Sequence, residues 1–199
     1  MIASILSVGT EITSGQITNQ NAAWISHRLS EIGLRTSLHH TVPDNRVAIR
    51  EGLELLEKNS DLIFVTGGLG PTSDDFTRDL ILEWTQVPAE FDEKSWSKIQ
   101  NRLNERGLPI QDFQKQQCYF PSGSKILDNS QGTANGFFLK SRNKYLWALP
   151  GPPNEVACIW KDHVDAQLKE ITKELDIYIT KSWDVLGLGE AEAPTLIEP

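Results

Sequence analysis

The 199-residue chain has few basic side chains and no long apolar segment. Its 19 Lys and Arg residues against 27 Asp and Glu residues leave a net charge of −8 at pH 7. This balance argues against non-specific binding to nucleic acid or to anionic membrane surfaces. No apolar run approaches the roughly 20 residues of a membrane-spanning helix. We therefore expect neither a nucleic-acid partner nor a membrane partner.

Cysteine and histidine are too scarce and too scattered to predict a metal centre. Cys118 and Cys158 lie far apart, without the short spacing of a zinc site, and the four histidines form no ligand pattern. The segment Met1 to Leu6 lacks a basic region and has the pattern of a strand, so we predict no signal peptide. Two reduced thiols are typical of a cytoplasmic protein, which is the location we expect.

The apolar pattern alternates between strands and helices. Strands are predicted at 2–8, 34–42 and 61–66, and helices at 19–32, 46–58, 76–85 and 93–106. This alternation is typical of parallel βαβ units and of the α/β class. A turn-rich stretch follows at 111–135. After it, strands are predicted at 136–140 and 145–149, a helix from 154 to about 175, and one further strand at 177–186.

The most informative segment is the glycine-rich run VTGGLGPTSDDFTR at 65–78, between a predicted strand and a predicted helix. Gly67, Gly68 and Gly70 allow the backbone to approach a ligand closely, and the free N–H groups of such a loop attract phosphate. Asp74 and Asp75 would repel a bare phosphate but suit a hard divalent cation that bridges carboxylate and phosphate oxygens. The segment therefore predicts a phosphate-bearing ligand together with magnesium, manganese or cobalt.

Helix capping is the alternative interpretation of these carboxylates. Asp74 and Asp75 suit the first turn of a helix, and Thr72 with Asp75 resembles a capping box. The two roles are compatible, because one Asp can cap while the other faces the ligand. The run lacks the Gly-Lys-Ser/Thr of a Walker A loop and the spacing of the dinucleotide fingerprint.

Polar turns follow three of the predicted strands. The first turn carries Glu11, the second is the glycine-rich run, and the third carries Pro150 and Gly151. Because ligands of open parallel sheets bind outside the carboxyl ends of the strands, neighbouring strands would bring these turns into one crevice. This convergence is a stronger indication of a binding site than any single motif.

Three further side chains near these turns, Glu11, Asp44 and Arg78, have two interpretations each. Glu11 either contacts a ribose, a pterin-like ring or a metal, or lies near a helix start. Asp44 either contacts the ligand or caps a helix. Thr77 and Arg78 begin the helix after the glycine-rich run, where Arg78 either neutralises phosphate or is a solvated surface charge.

A second small-residue loop, 132–136, follows Asn129. Gly132 and Thr133 belong to this loop, and its backbone N–H groups would reach the same anion. On its own the loop would be an ordinary turn.

These segments resemble the MoaB/Mog molybdopterin-binding fold and, more closely, the N-terminal domain of CinA-type competence/damage-inducible proteins. The run TGGLGPTSDDFTRD at 66–79 resembles the family signature. Other segments agree in the same order over roughly residues 2 to 165: GTEI at 9–12, GQI at 15–17, Asn21, Gly33, the turn at 42–45, Gln116, Pro121, Asn129, GTA at 132–134 and LPGPPNE at 149–155. Two departures are Thr13-Ser14, in place of an apolar pair, and Asn135, in place of a proline.

The resemblance implies a three-layer α/β/α sandwich with a mostly parallel central sheet, in a homo-oligomer such as a dimer or trimer. It also implies a molybdopterin or ADP-ribose as the ligand, the latter hydrolysed with a divalent metal. We assign Asp74, Asp75 and Glu11 as catalytic residues, with Asp74 and Asp75 at the metal. The assigned substrate-binding residues are Gly67, Gly68, Gly70, Thr72, Thr77, Arg78, Asp44, Asn21, Gly132, Thr133, Pro150 and Gly151.

The leading expectation is a metal-dependent pyrophosphatase that splits ADP-ribose or a related nucleotide diphosphate, giving AMP and ribose 5-phosphate from ADP-ribose. Two alternatives stay open: adenylylation of molybdopterin, and a non-catalytic nucleotide- or pterin-binding module. The family-like domain is predicted at 1–170, and 171–199 is an extension or the start of another small domain. The C-terminal amidase domain of full-length relatives is expected to be absent, so deamidation is not assigned.

Overall fold

Continuous burial marks the central strands of the sheet. In the computed structural model, which describes residues 1–173, β1 (Ile2–Val8) is buried from Ala3 onwards and β3 (Leu62–Thr66) is buried throughout. Unbroken burial is expected of parallel strands that are covered on both faces. Both strands lie where the apolar pattern predicts them.

The six-stranded sheet is mostly parallel. Its order is β2 (Arg35–Val42), β1, β3, β8 (Lys144–Leu149), β7 (Gly136–Ser141) and β6 (Lys125–Leu127). The first four strands are parallel to one another, whereas β7 and β6 add as antiparallel neighbours. The carboxyl ends of β1, β3 and β8 therefore meet at one edge, as the polar turns predict.

Helices cover both faces of this sheet. Their bounds are α1 (Thr10–Thr13), α2 (Gln20–Glu31), α3 (Arg46–Asn59), α4 (Thr77–Thr85), α5 (Glu93–Glu105), α6 (Pro153–Ile159), a π-helical turn (Trp160–Val164) and α7 (Asp165–Thr172). One apolar core joins α3 and α4 to the sheet, and a second joins α2, α6 and α7 to it. The expected three-layer α/β/α class is confirmed.

The stretch 111–135 contains more regular structure than predicted. A 3₁₀ helix (Asp112–Cys118) precedes β5 (Tyr119–Pro121), which pairs with β4 (Ala89–Phe91) in a separate two-stranded sheet. Strands of three residues are too short to show a period. Beside α5, Cys118 is buried in a small core, and this burial raises the pKa of its thiol to about 11.

Two other predictions about helices are corrected. The turn after β1 forms the short helix α1, and the helix expected from 154 to about 175 is interrupted by the π-helical turn. One wider turn barely changes the apolar period, so the sequence does not reveal it. The predicted strand at 177–186 and most of the 171–199 extension lie outside the described residues.

The helices of residues 1–173 are short or amphipathic. Among them, none combines the length and the apolar character needed to cross a membrane.

Candidate functional site

A crevice of about 350 Å³ opens at the carboxyl ends of β1, β3 and β8. It brings together residues that are far apart in sequence, including most of those assigned to the site. The assigned residues that line it are Glu11, Asp44, Gly67, Gly68, Gly70, Thr72, Asp74, Asp75, Thr133, Pro150 and Gly151.

The first glycines after β3 have conformations that favour glycine. Gly67 has φ 92° and Gly68 has φ 66°. A Cβ on Gly67 would lie 2.2 Å from the carbonyl oxygen of Val8, and one on Gly68 would lie 2.2 Å from Thr77 Oγ1. These glycines therefore allow the loop to pass directly over the end of β1 and the start of α4.

The two aspartates belong to a turn that Thr72 closes. The Thr72 N–H donates to Asp75 Oδ2 at 2.8 Å, and its hydroxyl donates to Asp74 Oδ1 or Asp75 Oδ2, each at 2.5 Å. The hydrogen bond from Thr72 lowers the pKa of Asp74 below its usual value. Helix α4 begins later, and its N-cap residue is Phe76, without a side-chain cap, so the capping-box interpretation is wrong.

Thr77 and Arg78 lie beneath the loop and do not line the crevice. Arg78 is only 2% exposed, and its Nη2 donates to the carbonyl oxygen of Leu69 at 2.9 Å. Burial lowers the pKa of Arg78 to about 10, which leaves it cationic at neutral pH. Arg78 is therefore neither a solvated surface charge nor a direct ligand contact; it holds the loop from below.

Asp44 and Glu11 line the crevice on the side of β1 and β2. The Thr10 N–H and hydroxyl donate to Asp44 Oδ2 at 2.8 and 2.9 Å. Asn45, and not Asp44, caps α3, since its Oδ1 accepts from the N–H groups of Val47 and Ala48. Asp44 thus joins α1 to the exit of β2.

Gly132 and Asn21 lie beside the crevice. Asn129 Oδ1 accepts from the Gly132 N–H at 2.9 Å, so this donor is already used, and Gly132 does not line the cavity. Asn21 Nδ2 donates to the Gly151 carbonyl at 2.7 Å and lines an adjoining cavity of about 430 Å³. Glu11 and Gly151 line both cavities, which makes the two cavities neighbours.

Among the polar side chains that line the crevice, sequence reasoning did not select two. Glu155 belongs to the LPGPPNE run, whose agreement with the family was the signal that could have identified it. No sequence pattern identifies Gln117 as a lining residue. It belongs to the 3₁₀ helix, is buried, and its Oε1 accepts from the Thr133 hydroxyl at 3.0 Å.

The charge of the crevice is one-sided. Five carboxylates line it and, within residues 1–173, no Lys, Arg or His joins them; the five are Glu11, Asp44, Asp74, Asp75 and Glu155. Within the same residues, no three His, Cys, Asp or Glu side chains are grouped so that they alone could hold a metal ion. A cation in this crevice would therefore need further ligands from a bound molecule or from water.

Residues 4–170 match the family described as a probable molybdopterin binding domain. The chain is 37% identical over 199 residues to a putative competence-damage inducible protein of Caldanaerobacter subterraneus subsp. tengcongensis, covering all of this chain and 48% of that protein. A protein of the same description from Clostridium novyi is 35% identical over 198 residues, with 100% and 47% covered. The chain spans about half the length of the curated relatives it matches.

Solved structures show the same fold. The crystal structure of CinA from Thermoplasma acidophilum, a protein described as having unknown function, matches with a TM-score of 0.75 and 28% identity, over 83% of this chain and 96% of that one. The molybdopterin biosynthesis enzyme MoaB of Thermus thermophilus matches with a TM-score of 0.54 over 87% and 97%, and at 17% identity it supports the fold alone.

Proposed function

We propose that this chain, which belongs to the family of probable molybdopterin-binding domains, binds a phosphate-bearing pterin of the molybdopterin class in the crevice beyond β1, β3 and β8. The observation that carries the proposal is a glycine-rich backbone loop inside a crevice whose charged lining side chains, among the described residues, are all acidic. Phosphate needs the first of these features, and a divalent cation needs the second.

The phosphate would lie against the glycine-rich loop. Gly67 and Gly68 leave the backbone uncovered at positions where a side chain would collide with Val8 or Thr77. Arg78 adds a buried positive charge beneath this loop. Backbone N–H groups and a fixed positive charge favour an anion.

A divalent cation would accompany the phosphate. The donor set fits magnesium, which takes one or two carboxylates and completes its shell with phosphate oxygens and water. Asp74 and Asp75 would supply the carboxylates, since both line the crevice within one short turn. When bound, the cation would neutralise phosphate charge that five carboxylates otherwise repel.

The adjoining cavity would hold the other half of the ligand. Its lining combines Ile12 and Ile17 with the amides of Asn19 and Asn21, a mixture suited to a planar heterocycle with polar edges. Because Glu11 lies at the junction of the two cavities, it would contact the ligand between its phosphate and its ring.

Calorimetric titration tests the binding proposal. Magnesium pyrophosphate and a molybdopterin should bind the wild type, and chelation of magnesium should weaken both by about 10-fold or more. Asp75→Asn should lose most of the magnesium dependence. The matched control, Asp112→Asn, alters an exposed aspartate that does not line the crevice and should bind like the wild type. Equal affinity with and without magnesium would contradict the proposal.

Hydrolysis of ADP-ribose is the second candidate, and it is favoured by the adjacent pair Asp74 and Asp75 in the crevice lining. Water oxygen would bond to one phosphorus while the bridging oxygen leaves with the other phosphate, giving AMP and ribose 5-phosphate. Glu11 or Asp44 would accept the proton of the attacking water. A bound metal would polarise the phosphates and lower the pKa of water.

Mass spectrometry of the reaction products separates the two candidates. Purified protein with ADP-ribose and magnesium, manganese or cobalt should give AMP only with metal and with Asp75 intact if the domain is a hydrolase. Tight binding without AMP under every metal would leave a binding module. Pyrophosphate released from ATP and a molybdopterin would identify an adenylylating enzyme instead.

A further inference from the structure

We infer that Glu155 determines ligand specificity in the crevice: its carboxylate accepts hydrogen bonds from donor groups of the ligand, and Asn129 positions it. This inference rests on the proposed function, because it concerns the same crevice. It adds a requirement for donor groups to the requirement for phosphate.

One oxygen of Glu155 is used by the protein and the other is left for a ligand. Asn129 Nδ2 donates to Glu155 Oε2 at 2.7 Å. Glu155 Oε1 has no hydrogen-bond partner among residues 1–173, although the residue lines the cavity and is half-buried. A carboxylate accepts and never donates, so this oxygen selects N–H or O–H groups.

The carboxylate is fixed by a rigid support. Asn129 is fully buried; its Oδ1 accepts from the N–H groups of Gln131 and Gly132 at 3.0 and 2.9 Å. A Cβ on Gly132 would lie 2.3 Å from Glu155 Oε2, so the carboxylate rests directly against bare backbone. Asn129 and Gly132 therefore hold the Glu155 carboxylate in place, and Asn129 acts as a positioning residue.

Glu155 does not complete a metal site with Asp74 and Asp75. Within the described chain, no three carboxylates are grouped so that they alone could hold a cation. Glu155 also has no Lys, Arg or His partner in the cavity lining. Recognition of donors needs only the one unpartnered oxygen, and both ligand classes offer donors: the hydroxyls of a ribose or the amino-pyrimidinone edge of a pterin.

Glu155→Gln tests this inference while preserving size. Its amide oxygen still accepts from Asn129, but the ligand-facing end becomes a donor. Three magnesium-loaded probes are titrated: pyrophosphate, which lacks donor groups, ADP-ribose, and dihydroneopterin triphosphate. We expect pyrophosphate affinity to stay within about 2-fold, and affinity for a donor-bearing probe to fall about 10- to 100-fold. The probe that weakens identifies which ligand class, a ribose nucleotide or a pterin, offers the donor groups that Glu155 accepts.

The other outcomes have distinct meanings. If the wild type binds none of the probes, the proposed function fails. If it binds pyrophosphate but gains no affinity from either donor-bearing probe, or if Glu155→Gln leaves both of them unchanged, the inference about Glu155 is overturned. An equal loss for all three probes, with a lowered melting temperature, would mean a structural role and would also overturn it.

Two variants control the experiment. Glu105→Gln changes an exposed glutamate at the end of α5, outside both cavities, and should leave the affinity for every probe unchanged. Glu155→Asp keeps the charge but withdraws the acceptor by one methylene. It should weaken the same probe as Glu155→Gln, by a smaller factor.

Discussion

Two loops line the same crevice but are held in opposite ways. The loop after β3 follows the left-handed conformations of Gly67 and Gly68, and the side chains of its outer turn bond mainly to one another. The loop at 129–135 is held by side chains: Lys98 of α5 donates to the Asn129 carbonyl and to Asn135 Oδ1 at 2.6 and 3.2 Å.

The difference concerns which groups stay available to a ligand. In the first loop, backbone conformation sets the shape and leaves the exposed Asp74 and the half-buried Asp75 in the crevice lining. In the second loop, internal bonds already satisfy many of the polar groups, and Glu155 is positioned at its edge. We therefore expect changes in the first loop to alter phosphate binding, and changes in the second to alter stability and ligand selection.

Gly67→Ala should have the largest effect. A left-handed non-glycine residue costs about 1–2 kcal/mol, and overpacking adds about 1–3 kcal/mol, here because the new Cβ would lie 2.2 Å from the Val8 carbonyl oxygen. The free energy of unfolding should fall by about 3 kcal/mol in urea titration, and magnesium pyrophosphate binding should be lost. Gly107→Ala is the control: its φ is 64° but nothing lies within 4 Å, so it should cost about 1 kcal/mol. An equal loss of stability in both variants would contradict the close approach between Gly67 and the Val8 carbonyl.

Asn129→Ala should come next. It leaves the N–H of Gln131, the buried N–H of Gly132 and the Ala134 carbonyl without their partner, which should lower the free energy of unfolding by about 2 kcal/mol. Pyrophosphate affinity should stay within a few-fold, because the glycine-rich loop is untouched. Asn101→Ala, at an exposed position of α5, should change neither quantity. Complete loss of pyrophosphate binding in a folded variant would show that the two loops are not separable.

Gln116→Ala and Arg102→Ala form a matched pair. Gln116 Nε2 donates to the carbonyl oxygens of Gly70 and Thr72 at 3.3 and 3.1 Å, and Arg102 Nη1 donates to those of Ser130 and Gly132 at 3.3 and 3.2 Å. Each variant should lower the free energy of unfolding by about 1 kcal/mol. Calorimetry should show weaker pyrophosphate binding, by a few-fold, only for Gln116→Ala. Weaker pyrophosphate binding only for Arg102→Ala would assign phosphate binding to the loop at 129–135.

Thr72→Val should have the smallest effect, which is a change in the titration of Asp74. The Thr72 hydrogen bond stabilises ionised Asp74 and lowers its pKa, so this contribution is present at neutral pH and is lost as pH falls through the lowered pKa. In the variant, the pKa of Asp74 should rise towards the usual value of an aspartate. NMR of the side-chain carboxyl against pH measures it. Ser73→Ala, an exposed neighbour, should leave the pKa unchanged.

Periodicity predicted the main strands and helices well, because each buries an apolar face that repeats over several residues. Short elements such as β4, β5 and α1 escaped prediction, since three or four residues carry no period. For the site, motif and topology together located the crevice. They misplaced Arg78, because a charged residue at the start of a helix shows no sign that it is buried.

Sequence alone was enough for three features: the α/β class, the expected crevice at the carboxyl ends of the strands, and the glycine-rich loop with its two aspartates. These follow from local rules: the apolar period, the polar turns that end the strands, and the backbone freedom of glycine. Three other features became known only from the packed fold: Arg78 lies under the loop, Asn129 holds Glu155, and no Lys, Arg or His side chain joins the carboxylates among the described lining residues. Such facts depend on which distant residues meet when the cores pack, and spacing along the chain does not record them.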